Sequence, residues 1–419
     1  MKGRTADSPV FNRIEAQGSS KTMVPTLREK RGSYDGRTRA LHGIRDLFLI
    51  ATAAAILACG CTFDPQVTVT QWNPALTYDG YTLYSVNALF SPMTSYLAAV
   101  DMSGAIAWEF RNSDLGILYE YEPLPNGNVL CIATGSLYEI TPDGGIAWEH
   151  HAVTAHHDVD LLSDGSIIYL YNDVLESEFD DFQVLTDGIQ ILDMETHEVL
   201  WDWKLYDYMA SGGTADGRDL RNGDLFDMTQ PHRVCPYCWS NEITDSILRD
   251  WTHTNTVYFD EVESSILINI RNLNRMIKIS YPSGELLWTL GDGGDFGERL
   301  FSHAHDPMVL ADGNILLFDN GLHRPESRAE YSRAIELVVD PDAGHAEIVW
   351  EYRESPDFFS SAFGDADRLP NGNTLIADAV NGRLLEITPG LEIAWEMRLP
   401  DSYMIYKAER ISLPPMLRF

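Results

Sequence analysis

The chain has 419 residues, with 30 Lys and Arg against 63 Asp and Glu and a net charge of −33 with histidines neutral. Residues 1–46 carry ten basic and five acidic side chains, which leaves 20 against 58, or −38, for everything after them. A surface so acidic repels phosphate backbones and anionic head groups, so it argues against nucleic-acid binding and a peripheral electrostatic membrane role, while 44% hydrophobic residues exclude general disorder.

The basic leader runs into an uncharged segment, LFLIATAAAILACGC, from Leu47 to Cys61. This is shorter than the roughly 20 residues a spanning helix needs. It suits the apolar core of an export signal preceded by Arg37, Arg39 and Arg45; a short anchor helix is the alternative. The ending Ile56-Leu57-Ala58-Cys59 resembles a bacterial lipoprotein signal, which makes Cys59 the lipidation candidate and Cys61 the second. The expected organisation is a leader and export signal over 1–61, a linker over 62–80, and one folded domain over 81–419 in the periplasm or cell envelope, attached to the membrane only through that anchor. The leader before Arg45 is long for a signal, which a translation start further along would explain.

Self-similarity organises the rest. DMSGAIAWEF, TPDGGIAWEH, DMETHEVLWDW, SYPSGELLWTL, DPDAGHAEIVWEY and ITPGLEIAWEM end near Trp108, Trp148, Trp201, Trp288, Trp350 and Trp395. Each is a turn cluster followed by alternating apolar residues and a Trp, the pattern of an outer hairpin. LPNGNVLCI, LLSDGSIIYL, FDEVESSILINI, VLADGNILLF and LPNGNTLIA precede the last five of these. Asn-Gly or Asp-Gly between apolar runs marks a tight hairpin, because both central residues need positive φ. Four strands per unit and six units predict an all-β, six-bladed β-propeller with four-stranded antiparallel blades. The first unit lacks an opening strand, and YKAERISL at Tyr406–Leu413 is an opening strand without a unit. The C-terminal strand is therefore expected to pair into the first blade and close the ring.

The long interval between Trp201 and Trp288 holds an insertion near 205–250, which contains Cys235-Pro-Tyr-Cys238. That tetrapeptide looks like a thioredoxin-type motif without the βαβ context such a motif needs, and two cysteines do not complete a zinc site. A local disulfide between Cys235 and Cys238 is the favoured reading. Cys131, in NVLCIAT, reads as a buried small hydrophobe.

The first strand of each propeller blade lines the central channel. Eight residues before the turn glycines Gly165 and Gly313 lie His157 and His305, and the variant repeat starts its strand at His253. Three consecutive blades thus present an imidazole at one channel register. The second strand returns antiparallel, so its end, Arg271, is expected beside His253. Asp306 is a weak candidate for orienting His305, since neighbouring strand residues point to opposite faces. His156 has no such register and reads as structural; His303 is ambiguous.

HHDVD, WTHTNTV with SILINIRNLN, FSHAHDPMVLADGNILLFDNG, SRAIELVVD and GDADRLPNGNTLI resemble the bacterial arylsulfotransferases that work without a nucleotide sulfate donor, over about residues 80–413. The resemblance implies a six-bladed propeller that moves a sulfuryl group from an aryl sulfate donor to a phenol acceptor through a sulfohistidine, with no cofactor. It implies that His305 is the nucleophile, that His253 and Arg271 hold the sulfuryl oxygens, and that His157 handles the proton and oxygen of the phenol. The best-known members carry a separate N-terminal strand domain that pairs subunits, and the short stretch after Cys61 leaves little room for one. Two other readings of the same residues remain: a histidine-ligated metal site in the channel, and a non-catalytic propeller lipoprotein that scaffolds the envelope.

Overall fold

The computed structural model describes residues 67–88, 95–152, 154–175, 182–210, 247–250, 252–297, 299–324 and 330–412. The expected leader, the lipidation candidates Cys59 and Cys61, and the expected disulfide of Cys235 and Cys238 lie outside these residues. Among those described, no helix is long and apolar enough to cross a membrane.

Six antiparallel sheets follow one another along the chain as the blades of a propeller. Blade 2 is Leu118–Pro123, Val129–Ala133, Ser136–Ile140 and Ile146–His150, and blades 4, 5 and 6 repeat this meander from Thr254, His305 and Asp365. The six innermost strands, Leu118–Pro123, Ala155–Leu161, Thr254–Asp260, His305–Val309, Asp365–Arg368 and Tyr403–Ile411, touch in a closed ring around the axis. The last of them, Tyr403–Ile411, pairs antiparallel with Tyr81–Ala88, from Tyr81 opposite Ile411 to Ala88 opposite Tyr403. The C-terminal strand therefore completes the first blade, as the unpaired repeat halves demanded.

Two strands fall outside the four-stranded plan. Thr68–Trp72, inside the segment expected to be linker, adds to the outer edge of blade 6 against Ile393–Arg398. Ile247–Asp250 returns from the insertion and lies parallel to the third strand of blade 3. The insertion opens with the short helix Leu205–Ala210.

The core is divided among the seams. Six apolar clusters form, each between neighbouring blades: Leu83 with Val129, Leu130 with Ile167, Ile168 with Ile266, Leu267 with Ile315, Leu316 with Ile376, and Leu375 with Tyr84 each mark one. Successive residues of a second strand thus serve opposite seams. A strand buried on both faces reads as a continuous apolar run, which is why SIIYL, SILINI and NILLF do not alternate. The repeated tryptophans fasten these seams: the indole N–H of Trp108 donates to Pro142 O at 2.9 Å, Trp148 to Met194 O at 2.8 Å, Trp201 to Pro282 O at 2.9 Å and Trp395 to Met102 O at 2.9 Å, each in the following blade.

Candidate active site

Five of the six inner strands break register near one end of the channel. The shifts fall at Leu118/Tyr121, Tyr169/Leu170, Thr254/Thr256, His305/Met308 and Tyr84/Val86 in the paired strands. A bulge adds an unpaired residue and re-aims the side chains around it. His157, His253 and Asp306 take up the change with φ of 59°, 48° and 49°, in the left-handed region where His and Asp are enriched over other non-glycine residues.

The four residues expected at the channel mouth come together. The rings of His157 and His253 meet edge to face with centroids 4.6 Å apart. The backbone N–H of Arg271 donates to His253 O at 3.3 Å, which puts the arginine where hairpin geometry predicted, on the turn following Ser265–Ile270. Arg271 is 8% exposed and its guanidinium donates to Asn272 Oδ1 at 3.0 Å. Burial pushes that guanidinium down to about 10, with Asp250 opposing the shift. His305 is buried, and its burial, followed by the field of Arg271, holds the imidazole well below its ordinary value.

His305 is oriented by Asn320. The two are joined at 2.7 Å between Nδ1 and Oδ1, while the Asn320 amide Nδ2 donates to Ser360 O and Phe363 O, both at 2.8 Å. Those carbonyls fix which end of the amide is Oδ1, so it can only accept. The neutral His305 ring therefore carries its proton on Nδ1 and a lone pair on Nε2. This corrects the suggestion of Asp306: that residue turns its N–H to Thr256 Oγ1 at 3.1 Å and its carboxylate toward Asp365 and Asp367.

His157 is oriented by His156, which the repeat register had set aside. Their Nδ1 atoms lie 2.7 Å apart, and His156 Nε2 lies 3.2 Å from Asp187 Oδ1, close enough for an ion pair but off the line of a straight hydrogen bond. Burial alone would raise the Asp187 carboxyl, yet His156, the Thr252 hydroxyl at 2.5 Å and the Thr254 N–H at 2.7 Å bring it below its usual value. With Asp187 drawing the His156 proton to Nε2, His156 Nδ1 accepts from His157, and His157 too is left with its lone pair on Nε2. Burial first, then the neighbouring His253, His156, His305 and Arg271, keep His157 neutral. His253 is held through Nδ1 by the Asp250 carboxylate, from the strand that returns out of the insertion. His303 lies behind the site with Nδ1 on Leu322 O at 3.0 Å, pushed down to about 2 by burial and by Arg271.

Along the same strands, one register beyond the histidines, the channel turns acidic. Glu120, Glu122, Asp158, Asp160, Asp306, Asp365, Asp367 and Glu409 surround a single Lys407. Burial works against the lysine's charge, but Glu120, Glu409 and their neighbours hold it well above its usual value. The sequence strings HDVD, GDADR and KAERI carry this pattern at period two, a signal legible beside the histidine register. An imidazole-held metal is disfavoured by geometry: among the described residues, the one set of three or more metal-ligating atoms within 4.8 Å of one another is Asp306, Asp365 and Asp367, and no histidine belongs to it.

The arylsulfotransferase (ASST) family model matches residues 68–394. No curated protein matches the chain. Among solved structures, a protein of unknown function from Bacteroides caccae superposes with a TM-score of 0.50 at 14% identity, over 79% of this chain and 98% of its own. The periplasmic gluconolactonase of Pseudomonas aeruginosa gives 0.45 at 10% identity, over 80% and 100%. At 14% identity the first speaks for the fold alone.

Proposed function

The chain belongs to the arylsulfotransferase family, and from that premise we propose that it moves a sulfuryl group from an aryl sulfate to a phenol through a sulfated His305. The observation that carries this reading is the Asn320–His305 pair, which leaves a neutral imidazole with its lone pair on Nε2 beside a buried guanidinium. In the first half, Nε2 forms a bond to sulfur and the aryloxide leaves with the electron pair of the broken S–O bond. In the second half, an acceptor phenol gives its proton to His157 and its oxygen attacks sulfur, and the S–N pair returns to His305. His157 then passes that proton to a released aryloxide or to water. Sulfuryl transfer, like phosphoryl transfer, is loose at its transition state, so positioning and charge stabilisation dominate. Arg271 supplies donors to the sulfuryl oxygens, where a guanidinium fork matches two of them at once, and His253, fixed through Nδ1 by Asp250, walls the same position.

Incubation with 4-nitrophenyl sulfate, with and without a phenol, tests the reading. The expected result is phenol-dependent nitrophenol release and, without acceptor, a sulfated peptide containing His305; His305→Ala should keep its fold and lose about 10³-fold or more in rate. No nitrophenol release with any acceptor would overturn it and favour the scaffold. In the same reading the leader over 1–61 exports the enzyme and Cys59 anchors it, which fractionation of cells carrying Cys59→Ala checks by release of soluble protein.

A further inference from the structure

The acidic stretch of the channel holds carboxyl groups that the transfer does not use. Lys407 is engaged by Glu120 at 3.1 Å and Glu409 at 3.4 Å. Asp306, Asp365 and Asp367 have no such partner within ion-pair distance among the described residues, although oxygens of all three lie within 4.8 Å of one another. Asp365 is 2% exposed; one of its oxygens accepts the Ala408 N–H at 3.1 Å, and the other, Oδ1, is buried with no hydrogen-bond donor. A buried carboxylate oxygen left unmatched is costly, and three carboxylates this close repel one another unless something positive or protic joins them.

We propose that Asp306, Asp365 and Asp367 bind one divalent hard cation of the calcium class inside the channel. Oxygens no more than 4.8 Å apart span about the diameter of a calcium coordination sphere, where Ca–O is roughly 2.3–2.6 Å. All-carboxylate ligation selects calcium, magnesium or manganese over zinc and copper. A cavity of about 210 Å³ adjoins Asp306 and Asp367, with Asp158, Asp160, Glu122, Tyr258 and the Glu409–Lys407 pair on its other walls, so one ammonium faces six carboxyl groups there. It has room for the waters that complete six to eight ligands, each taking roughly 30 Å³. Calcium is preferred over magnesium because three ligands on two blades do not impose the strict octahedron that magnesium requires. The ion would join blade 5 to blade 6 across the channel, a task that otherwise falls to protons shared between the carboxyls. The proposal does not depend on sulfuryl transfer.

Terbium luminescence tests it on the full chain freed of metal with chelator. Tyr258 lines the cavity and can sensitise a bound lanthanide, so excitation of tyrosine should give terbium emission that saturates at one equivalent and is displaced by calcium in preference to magnesium. Calcium should also raise the melting temperature by about 3–5 °C at saturation, from a Kd of roughly 10⁻⁵–10⁻³ M. Asp367→Asn, at one of the two half-buried positions of the three, should weaken binding at least 10-fold with the melting curve in chelator unchanged or raised. Absence of sensitised emission from the wild-type chain, or calcium binding that Asp367→Asn and Asp365→Asn leave untouched, overturns the proposal and assigns the cluster to shared protons.

Discussion

At the scale of single residues, the chemistry depends on which imidazole nitrogen holds the proton. Asn320 settles this for His305 through an amide whose direction two carbonyls fix. Asn320→Ala should therefore lower kcat by about 10²-fold with KM little changed, because the ring loses its tautomer and orientation while Arg271 still binds the donor. A drop in KM affinity with kcat intact would instead place Asn320 in substrate binding. The pH dependence follows from the same surroundings. Burial and Arg271 hold His305 below its usual value, and burial and His253 do so for His157. Both therefore stay unprotonated as pH falls through about 6.5, where an ordinary histidine becomes charged. Cleavage of 4-nitrophenyl sulfate should hold its kcat/KM down to about pH 5; a fall centred near 6.5 would show an imidazole in ordinary surroundings.

At the scale of strands and blades, the repeat was legible because each unit must bury both faces of its second strand and pin its outer strand with an indole. Trp395, fully buried, reaches Met102 O across the seam where the last blade meets the first. Trp395→Phe should cost about 1–3 kcal/mol, seen as a lowered melting temperature, since it leaves a buried carbonyl unmatched. Unchanged melting would mean that this seam is held by packing alone. The closing strand and the place of Arg271 were also readable, because pairing in a hairpin fixes what lies opposite. The same hairpin rule applied to blade 5 points to Asn320, which follows Ile315–Asp319 and so lies beside the start of the inner strand at His305. Asp250 and Asp187 were not readable. The first comes back from an insertion that breaks the repeat, and the second acts across to a bulge that a period-two pattern does not reveal. The adjacent-residue rule held at Asp306, whose carboxylate turns away from His305 to Asp365 and Asp367 although its φ of 49° lies outside the ordinary strand range.

At the scale of the whole molecule, the charge of −33 is partly inside. Burial raises Glu120, Glu122, Asp158, Asp365 and Asp367 above ordinary carboxyls, with neighbouring carboxylates adding to it, and lowers His157, His303 and His305. A carboxyl whose folded value is raised keeps its proton as pH rises past about 4 while the unfolded chain releases its own, so its contribution to stability drains away with rising pH. The lowered histidines act oppositely, losing stability as pH falls below about 6.5. Raised carboxyls are the more numerous, so in chelator the melting temperature should be higher near pH 5.5 than at pH 8; the reverse order would show those carboxyls to be ionised and solvated. The same interior gives the channel two ends of opposite character. In the proposed transfer an aryl sulfate is drawn to Arg271 and the imidazoles and away from the acidic stretch beyond them, so donor and acceptor use one mouth in succession.

The closing strand has a consequence in time. Tyr403–Ile411 supplies Tyr406, whose hydroxyl donates to His157 O at 3.2 Å, and Lys407, on which the acidic interior depends. Arg410 of that strand reaches Thr82, 328 positions earlier. Everything between must be synthesised before the ring can shut, and contacts this distant form late. The protein is therefore assembled like a necklace with its clasp at the end of the chain: a nascent molecule can hold five complete blades and still have no reaction chamber.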